Sequence, residues 1–160
     1  MIASKNQLDN CLSYIEKGKQ EGASLLIGGE KLENGKYQNG YYVQPAIFDN
    51  VTSEMTIAQE EIFGPVIALI KVDSMEEALN IANDVKFGLS ASIFTENIST
   101  ECFLSLMKSM PDWFGSMQKA QVLSWQAPFG GMKQSSSHSR EQGEGAKDFF
   151  TAIKTVFVKP

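Results

Sequence analysis

A chain of 160 residues, 42% hydrophobic, 21% charged and 10% aromatic, has the composition of a globular protein with a real core. That length suits one domain or part of something larger. The formal net charge of −5 argues against broad binding to nucleic acid or to an anionic membrane, since both need a basic surface. Two cysteines, Cys11 and Cys102, and a single histidine, His138, are too few for a disulfide framework, and no protein-only metal centre is expected. The opening MIASKNQLDN carries no apolar signal region, and no apolar run approaches membrane-spanning length, so a reducing, cytoplasmic location is the expectation.

Leu8, Leu12 and Ile15, with Cys11 beside them, recur at helical spacing and predict an amphipathic helix over residues 6–17, ended by Gly18 and Gly22. Residues 24–27 form a short apolar run closed by Gly28 and Gly29, which predicts a buried strand. Residues 31–40 are polar and glycine-bearing, as in a hairpin-like excursion. Residues 41–48 then predict a strand that Pro45 makes peripheral. The best strand signal is VIALIKV, residues 66–72. Ser74 three residues before Glu77 is a capping-box signature, and Ala78, Leu79, Ala82 and Val85 continue one helical face until Gly88. Residues 89–95 predict the next strand, completing a strand–helix–strand unit of a parallel sheet. Farther on, residues 140–150 suit a helix in which Gly145 costs up to about 1 kcal/mol, and residues 153–158 suit a closing strand.

Several of these segments carry a resemblance. EEIFGPV at 60–66, PFGGMK at 128–133, FFTAIKTV at 149–156 and GYYVQPAIF at 40–48, with the helix and strand of 78–95, resemble the aldehyde dehydrogenase superfamily in order and spacing. The likeness is to its C-terminal third. It implies an α/β fold: a partial catalytic domain over residues 1–148, with a parallel sheet and flanking helices, and an oligomerisation strand over 149–160. The stretch QSSSHSREQG at 134–143 looks like the branch acting on α-ketoglutarate semialdehyde.

The resemblance also implies site residues. Glu61 matches the glutamate that accepts hydrogen bonds from the nicotinamide-ribose hydroxyls of NAD or NADP, a task suited to a carboxylate with two acceptor oxygens. Phe63 matches the aromatic packed beside the nicotinamide ring. Read without the resemblance, Glu61 is a surface acid and Phe63 a core residue. The family's cysteine nucleophile, general-base glutamate and dinucleotide-binding fold all map upstream of Met1. Cys11 lies on the apolar face of its helix, Cys102 matches nothing catalytic, and His138 has only serines around it. No catalytic residue is therefore assigned, and the chain alone is expected neither to oxidise an aldehyde nor to hold the cofactor. Its expected partners are a second copy, through the unpaired edge of 153–158, or a full-length relative or N-terminal part on which it docks as a non-catalytic assembly partner.

Residues 102–125 depart from the family. An AGxVxxN strand is expected there, and the chain reads instead SLMKSMPDWFGSMQKAQVLSW over 105–125. One allowed codon spelling of residues 105–120, read one base back, translates as FIDEIDAGLVRINA. Asp112-Trp113 forces the leucine of that reading and Trp113-Phe114 the valine. A frameshifted stretch, as in a pseudogene product, is the expectation, with a diverged loop or amphipathic helix as the alternative. Loss of a central strand would remove large apolar residues at roughly 2–5 kcal/mol each from a total of about 5–15, leaving the chain unstable or molten.

Overall fold

The computed structural model describes residues 1–89, 91–93, 114–116, 128–137, 140–152 and 154. They belong to two compact units, Met1–Asp84 and Val85–Pro160.

The first unit opens with α1, Lys5–Gln20, whose N-cap Ser4 accepts the Gln7 backbone N–H on its hydroxyl. The helix runs on through Gly18, contrary to expectation. Gly18 is buried, and a Cβ there would lie 3.0 Å from the Ile57 Cδ1 and 3.3 Å from the Phe48 ring. Its missing side chain is thus a packing device inside the helix. The chain turns away at Gly22, with φ +99.

Strands β1 (Ser24–Ile27), β2 (Lys31–Leu32), β3 (Tyr42–Val43) and β4 (Ala46–Asp49) follow, with a 3-10 turn at Gly35–Tyr37 in the excursion between β2 and β3. The pairing of β2 with β3 is antiparallel, as in the hairpin expected there. Pro45 does not mark a periphery. It falls in the gap between β3 and β4, where its missing N–H leaves no ladder bond unmade. The Gln44 N–H donates to Glu30 and the Ala46 N–H to Pro65 on either side of it. Strand β4 is central in the order β1-β4-β5, where β5 is Val66–Ala68, and its Ala46 and Phe48 are fully buried. Strand β1 is less buried than expected: a bulge lies between Leu25 and Ile27, and Leu26 and Ile27 are exposed.

Strands β4 and β5 are parallel, joined by residues 50–65 through the one-turn helix α2, Thr56–Gln59. This crossover replaces the expected one: β5 pairs with β4, whereas β7 (Ala91–Ile93) pairs with β8 (Phe114–Ser116). Helix α3, Met75–Asn83, has the predicted cap. Ser74 Oγ accepts the Glu77 N–H at 3.1 Å, and the Glu77 carboxylate accepts the Asp73 N–H at 2.8 Å. It ends at Asn83, before Gly88, which instead sits in β6 (Phe87–Gly88). The buried apolar residues are Leu8, Cys11 and Ile15 of α1, Ala23, Val43, Ala46, Phe48, Val51, Ile57 and Ile62, all in the first unit among the described residues.

In the second unit β6 pairs antiparallel with β9, Met132–Lys133. The parallel pair β7–β8, with Ala91 opposite Phe114 and Ile93 opposite Ser116, corrects the expectation that residues 102–125 hold no strand. A ladder is made by backbone N–H and C=O groups, which almost any sequence supplies. The rest of 102–125, Cys102, His138 and the closing strand of 153–158 apart from Lys154 lie outside the described residues. Helix α4 covers only Gly145–Phe150 of the predicted 140–150, so Gly145 opens the helix. A Cβ at Gly145 would lie 2.8 Å from Arg140 Cβ. Among the described residues no helix is long and apolar enough to cross a membrane.

Candidate functional site

Residues 60–65 form an irregular loop between α2 and β5, and α1 pins it from below. Gln7 Nε2 donates to two successive loop carbonyls, Ile62 O and Phe63 O, each at 2.9 Å. Tyr14 OH donates to Glu60 Oε2 at 2.7 Å, which raises the phenol pKa above its usual value because the neighbouring carboxylate favours the protonated phenol. Between these polar contacts, Ile62 points into the core, and Cys11 lies under Gly64. A Cβ on Gly64 would come within 2.7 Å of the Cys11 sulfur, so the loop reaches the helix only because residue 64 has no side chain.

The two residues singled out in the sequence sit side by side on this support. Phe63 has φ +55, a left-handed conformation uncommon for a bulky residue, and is 78% exposed. It is not the core residue that its apolar character alone predicts. The Glu61 carboxylate is exposed, and among the described residues it has no hydrogen-bond or ion-pair partner. The loop therefore offers an acceptor and an aromatic face to an incoming molecule without first breaking a contact of its own.

Cys11 is 0% exposed, and burial raises its thiol pKa above the usual value. The folded state holds the proton more tightly, so this contribution to stability is fully present below the unfolded thiol pKa, about 8.5, and is lost as pH rises through the higher folded value. Cys11 is expected to resist iodoacetamide at pH 8 until the first unit unfolds, as read by peptide mass mapping. Rapid alkylation in the folded chain would contradict the burial.

The double glycine of PFGGMK serves packing in the second unit. Gly130 and Gly131 are buried, and a Cβ on Gly131 would lie 2.6 Å from Ser135 Cβ and 3.1 Å from Gly88 O. Arg140 Nη1 donates to Gly131 O at 3.2 Å, and Ser135 Oγ accepts the Gly88 N–H at 3.0 Å. One serine of the serine-rich stretch thus has a structural partner. Among the described residues no group of three or more histidine, cysteine or acidic side chains could hold a metal ion.

The residues that sequence reasoning missed are Gln7 and Tyr14, with Asn10 between them at a long 3.5 Å from Ile62 O. Their one local signal is a polar row at positions 7, 10 and 14, flanking the apolar row of 8, 11 and 15. Their partners lie 46 to 56 residues away.

The architecture is a mixed α/β one, built on a partly parallel sheet with a helix-backed loop at the end of a crossover. The aldehyde dehydrogenase family model matches residues 1–156, and the chain belongs to that family. An α-ketoglutaric semialdehyde dehydrogenase from Bacillus subtilis is 82% identical over 99% of the chain and 32% of its own length. An α-ketoglutarate semialdehyde dehydrogenase from Haloferax volcanii is 42% identical over 96% of the chain and 32% of its own length. A Bacillus cereus aldehyde dehydrogenase solved with NAD+ superposes with a TM-score of 0.87 at 39% identity, over 98% of this chain and 30% of that one. The chain thus spans about a third of the length of the relatives it matches. These overlaps establish that share and do not uphold its assignment to the C-terminal third.

Proposed function

We propose that this chain supplies the nicotinamide side of the cofactor pocket in an NAD-dependent aldehyde dehydrogenase, and that it acts only together with the remaining two-thirds of such an enzyme. The observation that carries the reading is the loop at 60–65, where an exposed Phe63 is held at positive φ beside the exposed carboxylate of Glu61. A left-handed aromatic residue in water is unfavourable twice over, which is the pattern of a binding site rather than of a stable surface. Glu61 accepts from the ribose hydroxyls, and Phe63 packs beside the nicotinamide ring. Bound NAD supplies a hydride acceptor, so the net reaction of the whole enzyme is oxidation of an aldehyde to a carboxylic acid. The names of the two semialdehyde dehydrogenase relatives support α-ketoglutarate semialdehyde as the proposed substrate. In this reading the nucleophile and the general base come from the rest of the enzyme, and the burial of Cys11 keeps that thiol out of the chemistry. The proposal includes a cytoplasmic location, in keeping with the free Cys11 thiol.

Absorbance of NADH tests it. The chain alone with NAD+ and α-ketoglutarate semialdehyde is expected to give none. Co-expression with the remaining two-thirds of the Bacillus subtilis relative is expected to restore turnover, and Glu61→Gln in that complex to weaken NAD binding about tenfold, the loss of roughly one charge-assisted hydrogen bond. Turnover by the chain alone, or a Glu61→Gln complex with unchanged NAD binding, would overturn the reading.

A frameshift across residues 102–125 belongs to the same proposal. Strand β8 falls on Phe114–Ser116, where the shifted codons spell Val-Arg-Ile, a far better strand than Phe-Gly-Ser. Sequencing the DNA decides it, because codons that cannot yield AGLVRIN sink the idea.

The second reading, a non-catalytic assembly partner, is favoured by one observation. Ile27, Ile47 and Ile67 stand in register across the face of the sheet opposite α1, with Ile27 60% and Ile67 54% exposed. Parallel strands are ordinarily covered on both faces. Co-purification with a relative's remaining two-thirds, without turnover, would favour this reading over the first.

A further inference from the structure

We infer that Gln7 is the positioning residue of the cofactor loop: its side-chain amide clamps two successive carbonyls and so holds Phe63 in its left-handed conformation, out of the extended region. The inference rests on the cofactor reading of Glu61 and Phe63 for its purpose, though not for its geometry.

A primary amide carries two N–H donors on one nitrogen, and each can serve one carbonyl. Gln7 Nε2 reaches Ile62 O and Phe63 O at the same distance, 2.9 Å. In extended backbone, successive carbonyls point to opposite sides, as they do along a strand. They turn to one side when the residue between them is helical in either hand, and that residue here is Phe63, at φ +55. The clamp therefore holds Phe63 out of the extended region, and the left-handed turn is the conformation in which it is held. Releasing Phe63 into the extended region would swing one carbonyl away from Gln7.

Among the described residues no other side chain bonds both carbonyls. Ile62 is anchored in the core on one side, and Gly64 lies flat on Cys11 on the other. The backbone between them is held at both ends, with only the Phe63 torsions left to choose. Asn10 reaches Ile62 O at a marginal 3.5 Å and does not reach Phe63 O. Gln7 itself is fixed at the first turn of α1, where its backbone N–H is bound to the Ser4 hydroxyl. The cap holds the backbone of Gln7 in place, and its side chain spans the 56 residues of sequence to the loop.

The test uses the whole chain without cofactor. In the NMR spectrum, positive φ gives Phe63 a short distance between its amide and α protons, read as a strong intraresidue cross-peak. Gln7→Glu keeps the length but replaces the donor with an acceptor facing two carbonyls, and is expected to lose that cross-peak while the Phe48 ring resonances of the core stay in place. Gln7→Arg, which restores donors, is expected to recover it, and Asn10→Ala to leave it unchanged. The inference is overturned if the unsubstituted chain lacks the cross-peak, if Gln7→Glu retains it, or if Gln7→Arg fails to recover it.

A second readout reports on purpose. In the complex with the remaining two-thirds of the Bacillus subtilis relative, Gln7→Glu is expected to raise KM for NAD about tenfold with kcat little changed, and Gln7→Arg to reverse the rise. An unchanged KM overturns the positioning role. Because the NMR signature is read with no NAD present, it fails or stands independently of the cofactor reading, which falls on the Glu61→Gln measurement.

Discussion

Gly28→Ala is expected to remove most of the stability of the first unit. Gly28 has φ +72, and a Cβ there would lie 1.7 Å from the Pro45 carbonyl oxygen and 2.8 Å from its carbon. Neither atom can give way as a side chain would. Pro45 stands immediately before the central strand β4, so moving its carbonyl displaces Ala46 and Phe48 in the core. Left-handed backbone alone disfavours alanine by roughly 1–2 kcal/mol, and the displaced strand brings the total to about 4 kcal/mol or more. Gly29→Ala provides the comparison. That residue also has positive φ, +84, but its Cβ would meet only side-chain atoms, the nearest being Ile15 Cγ2 at 3.2 Å. It is expected to be clearly milder. Urea unfolding followed by far-ultraviolet circular dichroism measures both, and a Gly28→Ala midpoint equal to that of Gly29→Ala would refute the account.

Phe48→Ala is the second large effect. The ring is fully buried on the central strand, beneath α1 at Gly18, so its loss leaves a cavity that cannot collapse without moving the helix. The expected cost is about 3–5 kcal/mol, and Phe48→Leu, which keeps most of the volume, should cost less than half of that. A fall in urea midpoint at unchanged slope identifies a stability effect of this kind. An unsubstituted chain with a cooperative transition would also count against the expectation of a molten one. The described core lies wholly before residue 63, at a distance in sequence from the stretch whose reading frame is in question.

What was legible in the sequence divides by the range of the cause. The periodicity of Leu8, Cys11 and Ile15 and the cap at Ser74 depend on residues within a turn or two, and both helices begin where expected, though α1 runs past Gly18 and α3 stops before Gly88. The residues of β1 were also legible, because Gly28 closes the run with a backbone only glycine accepts easily. Pairing was not. Pro45 marked an edge on local grounds, yet β4 became central because β1 and β5 came to it from opposite sides. VIALIKV held to a strand for only three residues, since β4 offers pairing only as far as Phe48 and Asp49.

The site shows the same division. Glu61 is exposed as a lone surface acid should be, but Phe63 is the opposite of what its apolar side chain implies. Only the motif EEIFGPV pointed to the pair. The support beneath them, Gln7 and Tyr14, showed locally only as a polar row, because each acts on backbone or carboxylate groups that no local pattern can locate.

The reach of α1 bears on how this polypeptide could be divided between two genes. A break anywhere from residue 15 to residue 59 would put the clamp and its loop on separate pieces and divide the shared core between them. A break after Asp84 would fall at the boundary of the two compact units and keep α1, the sheet and the loop in one piece. Fragment complementation should therefore tolerate a cut at 84 and fail with cuts in the thirties, even though the excursion at 31–40 looks, as a surface hairpin, like the more obvious place to interrupt the chain.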